Sequence, residues 1–300
     1  MHLLALLLAC WNVSTASVAA AATGTWAGPA AYAPRGAHEM KHVDARGIER
    51  RVYVWIPERA SSDPRRYPVV VVLDADYAFD IARTVVRHFA DRGRVRPMAV
   101  VGITHPGADH DIPAYRRGRT RDYTPTHTLE GVYGPEYQKH SGGGPDFQRT
   151  LADVILPELA RRFPLDRRDA TLVGHSFGGL FAAWTLATRP DAFDRYLIVS
   201  PSLWYDERMM FALVEPKRTG ALANDARVYL AVGGRENPRM ESDLRRFADA
   251  LRMRRDPRLG VDLQVFEQDN HDGVFPAAFT AGLIALEKSR RPLPIQGETE

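Results

Sequence analysis

Four valines and a leucine in succession, Val69–Leu73, set the strongest limit on how this chain can fold. A β-branched run without polar alternation reads as a strand buried on both faces, because a half-exposed strand would place every second residue in water. Met98–Ile103 repeats the pattern, and Thr171–Val173, Arg195–Ser202, Ala226–Gly234 and Val261–Glu267 read as further strands. Arg50–Pro57 alternates and reads as a strand with one face in solvent. Between them lie segments at helical spacing: Asp80–Arg92, Phe147–Phe163 with a bend at Pro157, Phe177–Pro190, Ser242–Arg255 and Phe275–Lys288. Strand alternating with helix along the whole length predicts an α/β fold, a mainly parallel sheet with helices on both faces. Such sheets gather their chemistry at the carboxyl ends of the strands, so the residues that follow each strand are the ones to read.

Composition narrows the classes. The chain has 300 residues, 45% hydrophobic and 26% charged, enough apolar material for one large core. Forty basic residues against 37 acidic give a net charge of +3, too close to balance to argue for nucleic acid. Leu3–Ala9 is an apolar run too short to span a bilayer, and Ala19–Ala22 offers an A-x-A cleavage pattern. Residues 1–22 therefore read as a signal peptide, and the mature chain is expected in the periplasm or outside the cell. A lipoprotein anchored through Cys10 and a buried N-terminal helix are the alternatives. Cleavage after Ala22 would remove the one cysteine, and with it any disulfide, thiolate metal site or cysteine nucleophile. Residues 23–37 read as a flexible lead-in, 38–290 as the folded domain and 291–300 as a tail. Within the domain, 104–146 has no period and is expected to form an irregular cap or loop over the cleft. The spacings of its His105, His110, His127 and His140 match no ligand pattern, so neither a metal nor an organic cofactor is expected.

The strand Thr171–Val173 runs into Gly174-His175-Ser176-Phe177-Gly178 and then into a helix. Gly-x-Ser-x-Gly alone is a weak signal, but strand before and helix after is the context of a nucleophile elbow. There the serine sits on a sharp turn and projects its hydroxyl into the cleft. The alternative is a structural turn serine. A serine nucleophile needs a base, and His271 is the only histidine after Ser176, in a loop between the last strand and the last helix. The acid that orients it is expected after the strand Val228–Val232, where Glu236 stands. The oxyanion donors are expected to be the backbone N–H of Phe177 and one from the loop after Val69–Leu73: Asp76 first, Tyr77 second. Asp74 reads as a turn former.

These residues carry a family resemblance. "VVVVLDADYAF", "GHSFGGLFAAW", "VSPSLWY", "VGGREN" and "NHDGVFPAAF" together resemble the esterase branch of the α/β-hydrolases that includes siderophore (enterobactin-type) esterases, esterase D relatives and mycolyltransferases. The likeness covers roughly residues 38–288. "GRTRDYTPT" is also similar to a segment of the siderophore-esterase-like members. The resemblance implies an α/β-hydrolase fold and hydrolysis of a carboxylic ester by Ser176, His271 and Glu236.

The substrate is then a small-molecule ester. Arg116, Arg117, Arg119 and Arg121 crowd the middle of 104–146 and read either as a clamp for an anionic or metal-chelating substrate, Arg119 and Arg121 foremost, or as a solvated charge run with Arg121 paired to Asp122. Tyr77, Trp204 and Tyr205 are expected to line the cleft, and Trp184 to lie in the core. Three readings compete: an exported esterase of unassigned substrate, a siderophore trilactone esterase, and a hydrolase-fold binding protein with an inert site.

Overall fold

The computed structural model of the chain describes residues 36–58, 66–108, 111–214 and 225–288. The segments read as signal peptide and tail, and all but the end of the lead-in, lie outside them. Eight strands form one sheet: β1 (Ala37–Val43), β2 (Glu49–Trp55), β3 (Tyr67–Leu73), β4 (Ala99–Thr104), β5 (Leu165–His175), β6 (Arg195–Val199), β7 (Ala226–Gly233) and β8 (Leu259–Phe266). Their spatial order is β1-β2-β4-β3-β5-β6-β7-β8. β1 pairs antiparallel with β2 and β2 antiparallel with β4; all other neighbours are parallel. This is the sheet of an α/β-hydrolase.

The valine run behaves as its composition dictates: all seven residues of β3 are buried. Val69, Val71 and Leu73 face one core, while Val70 and Val72 face the other. Fully burying one such side chain is worth roughly 1.5–3 kcal/mol. The first core packs against α6 (Phe177–Thr188) and α9 (Pro238–Met253), the second against α1 (Ala75–Ala90) and α10 (Val274–Lys288).

Three departures from the sequence reading have physical causes. β1 is not expected as a strand from the sequence: Ala37 falls in the lead-in and 38–43 in the folded domain with no element assigned, because its charged edge-strand sequence, Ala-His-Glu-Met-Lys-His-Val, has no clean apolar face to betray it. α1 starts at Ala75, five residues before the expected Asp80. Asp74 takes a left-handed conformation (φ 53°, ψ 49°) that turns the chain directly from β3 into the helix. The segment 104–146, expected to be irregular, contains the twelve-residue helix α2 (Ile112–Tyr123) and the short α3 (Pro135–Gln138), and ends in α4 (Gly144–Arg149). The buried residues of α2 are Gly118, Arg119, Thr120, Asp122 and Tyr123, so hydrophobic periodicity has nothing to report. Its start does carry signals, with Asp111 accepting the Ala114 N–H and Pro113 in the first turn.

Where a bend is expected at Pro157, the helix instead changes type just upstream of it. α4 runs through a wider π-helical turn, Thr150–Ile155, into α5 (Leu156–Arg162), whose first turn accommodates the proline. The small elements α7 (Tyr205–Arg208) and α8 (Met210–Val214) complete the set. No described helix is long and apolar enough to cross a membrane.

Close packing of α1 on the sheet rests on Gly102 of β4. A Cβ there would lie 2.7 Å from the Ala75 Cβ and 2.8 Å from the Phe79 ring. Gly102→Val is expected to lower stability by about 1–3 kcal/mol through overpacking. Urea unfolding followed by circular dichroism measures it, and an unchanged midpoint would contradict this account of the interface.

Candidate active site

The turn between β5 and α6 is tight enough to require its glycines. A Cβ on Gly174 would lie 2.1 Å from the Gly178 carbonyl oxygen, and one on Gly179 would lie 2.8 Å from the Val199 carbonyl oxygen. Ser176, between them, is held at φ 59° and ψ −117°, a conformation that costs an L-residue about 1–3 kcal/mol. The surroundings over-determine it. Its N–H donates to Val199 O at 3.0 Å, and its carbonyl accepts from Leu180 at 2.9 Å and Ser202 at 3.1 Å. Strain maintained by three backbone bonds at the carboxyl end of a central strand is the signature of an elbow serine.

His271 and Glu236 meet because two loops are zipped together. Past β7, Gly234 N–H donates to Phe266 O and Arg235 N–H donates to Asp269 O. Gly233 has no room for a side chain: a Cβ would lie 2.5 Å from Asp269 O. On the opposing loop, Asn270 accepts the Gly273 N–H on its side chain and the Val274 N–H on its carbonyl, fixing the entry to α10 around His271. The result is a 2.7 Å hydrogen bond between His271 Nδ1 and Glu236 Oε2. Glu236 also accepts from the Gly233 N–H at 2.7 Å and from the Ser200 hydroxyl. Burial pushes the Glu236 carboxyl up, but the bonds from His271, Ser200 and Gly233 outweigh it and hold the group below its ordinary value. An ionised carboxylate on Nδ1 leaves Nε2 as the ring nitrogen available for proton exchange.

Ser176, Glu236 and His271 line one open cleft of about 920 Å³, with Tyr77, Tyr133 and Trp204 among its walls. His175 also lines it, with its ring centroid 4.7 Å from that of His271 and the two planes tilted by 36°. Its Nδ1 shares a 2.9 Å hydrogen bond with the Tyr77 hydroxyl. Burial, then the charges of His271 and Arg119, push His175 down to about 4, so it remains neutral at neutral pH.

Comparison with known proteins shows the family. The "Putative esterase" family model matches residues 44–286. The chain belongs to this family. It is an ester-hydrolysing enzyme of the α/β-hydrolase superfamily. It is 26% identical over 254 residues to the ferri-bacillibactin esterase BesA of Bacillus subtilis, covering 82% of this chain and 88% of that protein. It is 33% identical over 190 residues to the siderophore enterobactin esterase of Emericella nidulans, covering 58% of this chain and 61% of that protein. Among solved structures, the BES protein from Bacillus cereus superposes with a TM-score of 0.73 at 25% identity, covering 87% of this chain and 98% of that one. The siderophore hydrolase EstA from Aspergillus nidulans shares the fold, with a TM-score of 0.74 at 23% identity over 88% of this chain and 99% of that one.

Against the sequence expectations for this esterase, Ser176, His271, Glu236, Tyr77 and Trp204 come together at the cleft. Phe177 opens α6, and Asp76 and Tyr77 lie in the first turn of α1. Arg119 also lines the cleft, but as a buried side chain committed to Asp74, with Nε–Oδ1 at 2.8 Å and a terminal nitrogen to Oδ2 at 2.9 Å, so it is no free clamp for an anion. For Arg121 the clamp alternative is corrected and the internal pairing holds: it lies outside the cleft lining and pairs with its neighbour Asp122 at 2.7 Å. Tyr205 is likewise buried, its hydroxyl donating to Thr126 O at 2.8 Å, and the cleft wall is Trp204 alone of the pair. Beyond Tyr205, Asp206, Glu207 and Arg208 form a left-handed turn, all at positive φ. It is tied by the Thr126 hydroxyl to Asp206 and by Arg208 to Asp243. Sequence reasoning missed Ser200, His175 and the partners of Asp74. Ser200 follows β6 as Ser176 follows β5, and that position was the available signal.

Glu236→Gln preserves shape and removes the charge on which His271 Nδ1 rests. Turnover is expected to fall about 10²–10⁴-fold with the chain still folded, measured by steady-state kinetics. A carboxyl depressed below its ordinary value of 4.5 stabilises the fold fully above that pH. That contribution is lost as the pH falls through the depressed value. The gap in melting temperature between wild type and Glu236→Gln should therefore narrow on acidification below pH 4.5; a gap that is constant or widens would contradict the assignment.

Proposed function

We propose that the protein hydrolyses a carboxylic ester through an acyl-enzyme on Ser176, with His271 as general base and acid and Glu236 as the orienting carboxylate, and that the physiological ester is a siderophore backbone. The observation that carries the mechanism is the 2.7 Å bond from His271 to a buried, multiply hydrogen-bonded Glu236, at the cleft that the strained Ser176 also lines. Ser176 attacks the ester carbonyl while His271 accepts its proton. The oxyanion rests on the Phe177 N–H and the Asp76 N–H, at the start of α6 and in the first turn of α1. His271 returns the proton to the departing alcohol, and a water then releases the acid by the same steps. Glu236 remains ionised throughout and stabilises the imidazolium.

The substrate reading is supported by the cleft and by the relatives. The cleft is open and about 920 Å³, walled by Tyr77, Tyr115, Tyr133 and Trp204, and so suits a large ester with aromatic or planar arms. Two relatives carry the names of siderophore esterases, a ferri-bacillibactin esterase similar along 82% of this chain and a siderophore enterobactin esterase similar along 58% of it. Export is supported by the apolar run at Leu3–Ala9 and the alanines that follow.

Wild type and Ser176→Ala are compared on p-nitrophenyl butyrate and on iron-free and ferric catecholate trilactones. Expected are covalent labelling of wild type by a fluorophosphonate, loss of at least about 10³-fold activity in Ser176→Ala, and a higher kcat/KM on a trilactone than on the simple ester. Equal or better turnover of the simple ester would sink the siderophore reading. A wild type that neither turns over esters nor takes the probe would sink the mechanism.

A further inference from the structure

The two backbone donors assigned to the oxyanion hole sit on different loops. Phe177 follows β5, and Asp76 follows β3. These strands are neighbours, but their paired register runs only to Val72 opposite Val173. Beyond it another contact must hold the loops at a set distance, because a tetrahedral oxyanion is bound well only when both N–H groups reach it at about 2.7–3.1 Å.

One guanidinium spans the gap. Arg119 Nε and a terminal nitrogen form a fork on the two oxygens of Asp74, at 2.8 and 2.9 Å, directly before the α1 turn that carries Asp76. The same terminal nitrogen reaches the His175 carbonyl at 3.3 Å, directly before Ser176. The remaining arm donates to the Tyr133 hydroxyl at 2.9 Å. The side chain is buried and lies over the Phe177 ring, 5.5 Å from its centroid. Two more residues of α2 converge on Asp74: the Tyr115 hydroxyl donates to Oδ1 at 3.1 Å, and the Tyr123 hydroxyl accepts the Asp74 N–H at 3.1 Å. Tyr115, Arg119 and Tyr123 are spaced i, i+4, i+8, one stripe of the helix. The bond between Tyr77 and His175 is a second strap between the same loops.

We propose that Arg119 is a positioning residue that sets the separation of the two halves of the oxyanion hole, by bridging the Asp74 carboxylate and the His175 carbonyl. This rests on the Ser176 mechanism. It assigns a role in the transition state to a side chain that touches no reacting atom. Lysine cannot reproduce it, since a single ammonium has no planar fork that holds both Asp74 oxygens and also reaches the His175 carbonyl and the Tyr133 hydroxyl.

The test uses Arg119→Lys, the charge-removing double variant Asp74→Asn/Arg119→Met, and Tyr77→Phe, which cuts the second strap at a partly exposed side chain. Active-site titration with a fluorophosphonate normalises every rate to competent enzyme. Expected for Arg119→Lys and the double variant is a roughly 10–100-fold fall in kcat on p-nitrophenyl butyrate, with KM within about threefold of wild type. A trifluoromethyl ketone, which binds as a tetrahedral oxyanion, should weaken in parallel, while an uncleavable ether analogue of the substrate binds as before. Tyr77→Phe should show the same split at about 3–10-fold. A purely structural role would instead lower the titre and the melting temperature and leave kcat per titrated site and ketone affinity unchanged, and that result would overturn the proposal. A wild type inert to the fluorophosphonate would remove the serine mechanism itself, whereas a reactive wild type with unaffected variants would remove only the role of Arg119.

Discussion

The contact on which the rest of this architecture leans is the buried pair of Asp74 and Arg119. Neither charge can be left alone there, since an uncompensated buried charge costs about 3–5 kcal/mol. Asp74 is fully buried and sits in a left-handed turn, and Arg119 comes from a helix outside the sheet. Joining them places α2 at the carboxyl ends of the strands, and the position of that helix is thereby set by charge as well as by the buried Tyr123 ring. A second buried group behind it obeys the same logic. Asp122, one turn from Arg119, accepts from Arg50 at 2.7 and 3.0 Å, from Arg121 at 2.7 Å, and lies 3.0 Å from His105 Nε2. Burial pushes the Asp122 carboxyl up, but His105, Arg121 and Arg50 together hold it far below the ordinary carboxylate range. The run Arg119-x-Arg121-Asp122 is therefore a set of struts, with its charges spent within the protein.

That distribution also explains the character of the cleft. A sequence dense in arginine suggests a basic, anion-seeking surface. In the structure Arg119 is neutralised by Asp74, and Tyr77, Tyr115, Tyr133 and Trp204 line the cleft beside Arg235 and Asp272. His175, in ring contact with His271, is neutral at neutral pH. The imidazole that exchanges protons in the proposed mechanism therefore has one carboxylate, Glu236, as its direct ionic partner.

How much of this was legible in the sequence depended on which force built each part. The parallel core was legible because burial on both faces writes itself as an unbroken β-branched run, as in Val69–Leu73. The residues at the strand ends were legible because chain order and strand position leave few choices: His271 is the only histidine after Ser176. α2 was not, because its inward face is built of Gly118, Arg119, Thr120 and Asp122, which hydrophobic periodicity scores as exposed. Arg119 was noticed for its charge and read either as a substrate clamp or as part of a solvated charge run. Its true partner lies 45 residues away at the end of another strand, a separation that no local pattern encodes. Ser200, another partner of Glu236, had a signal in its position directly after β6, but its pairing with a residue 36 positions on did not.

The left-handed turn at Asp206–Arg208 stands apart from these supports. Three successive L-residues in that conformation cost roughly 1–2 kcal/mol each, and side-chain ties to the cap and to α9 hold them there. Trp204 enters the cleft just before it, whereas Ser176, Glu236 and His271 follow strands of the central sheet. Substitutions that relax the turn would shift the aromatic wall without disturbing the groups proposed to break the bond. Selection can thus remodel which molecule is admitted while the reaction is inherited unchanged, and related chains can diverge in diet while keeping one chemistry.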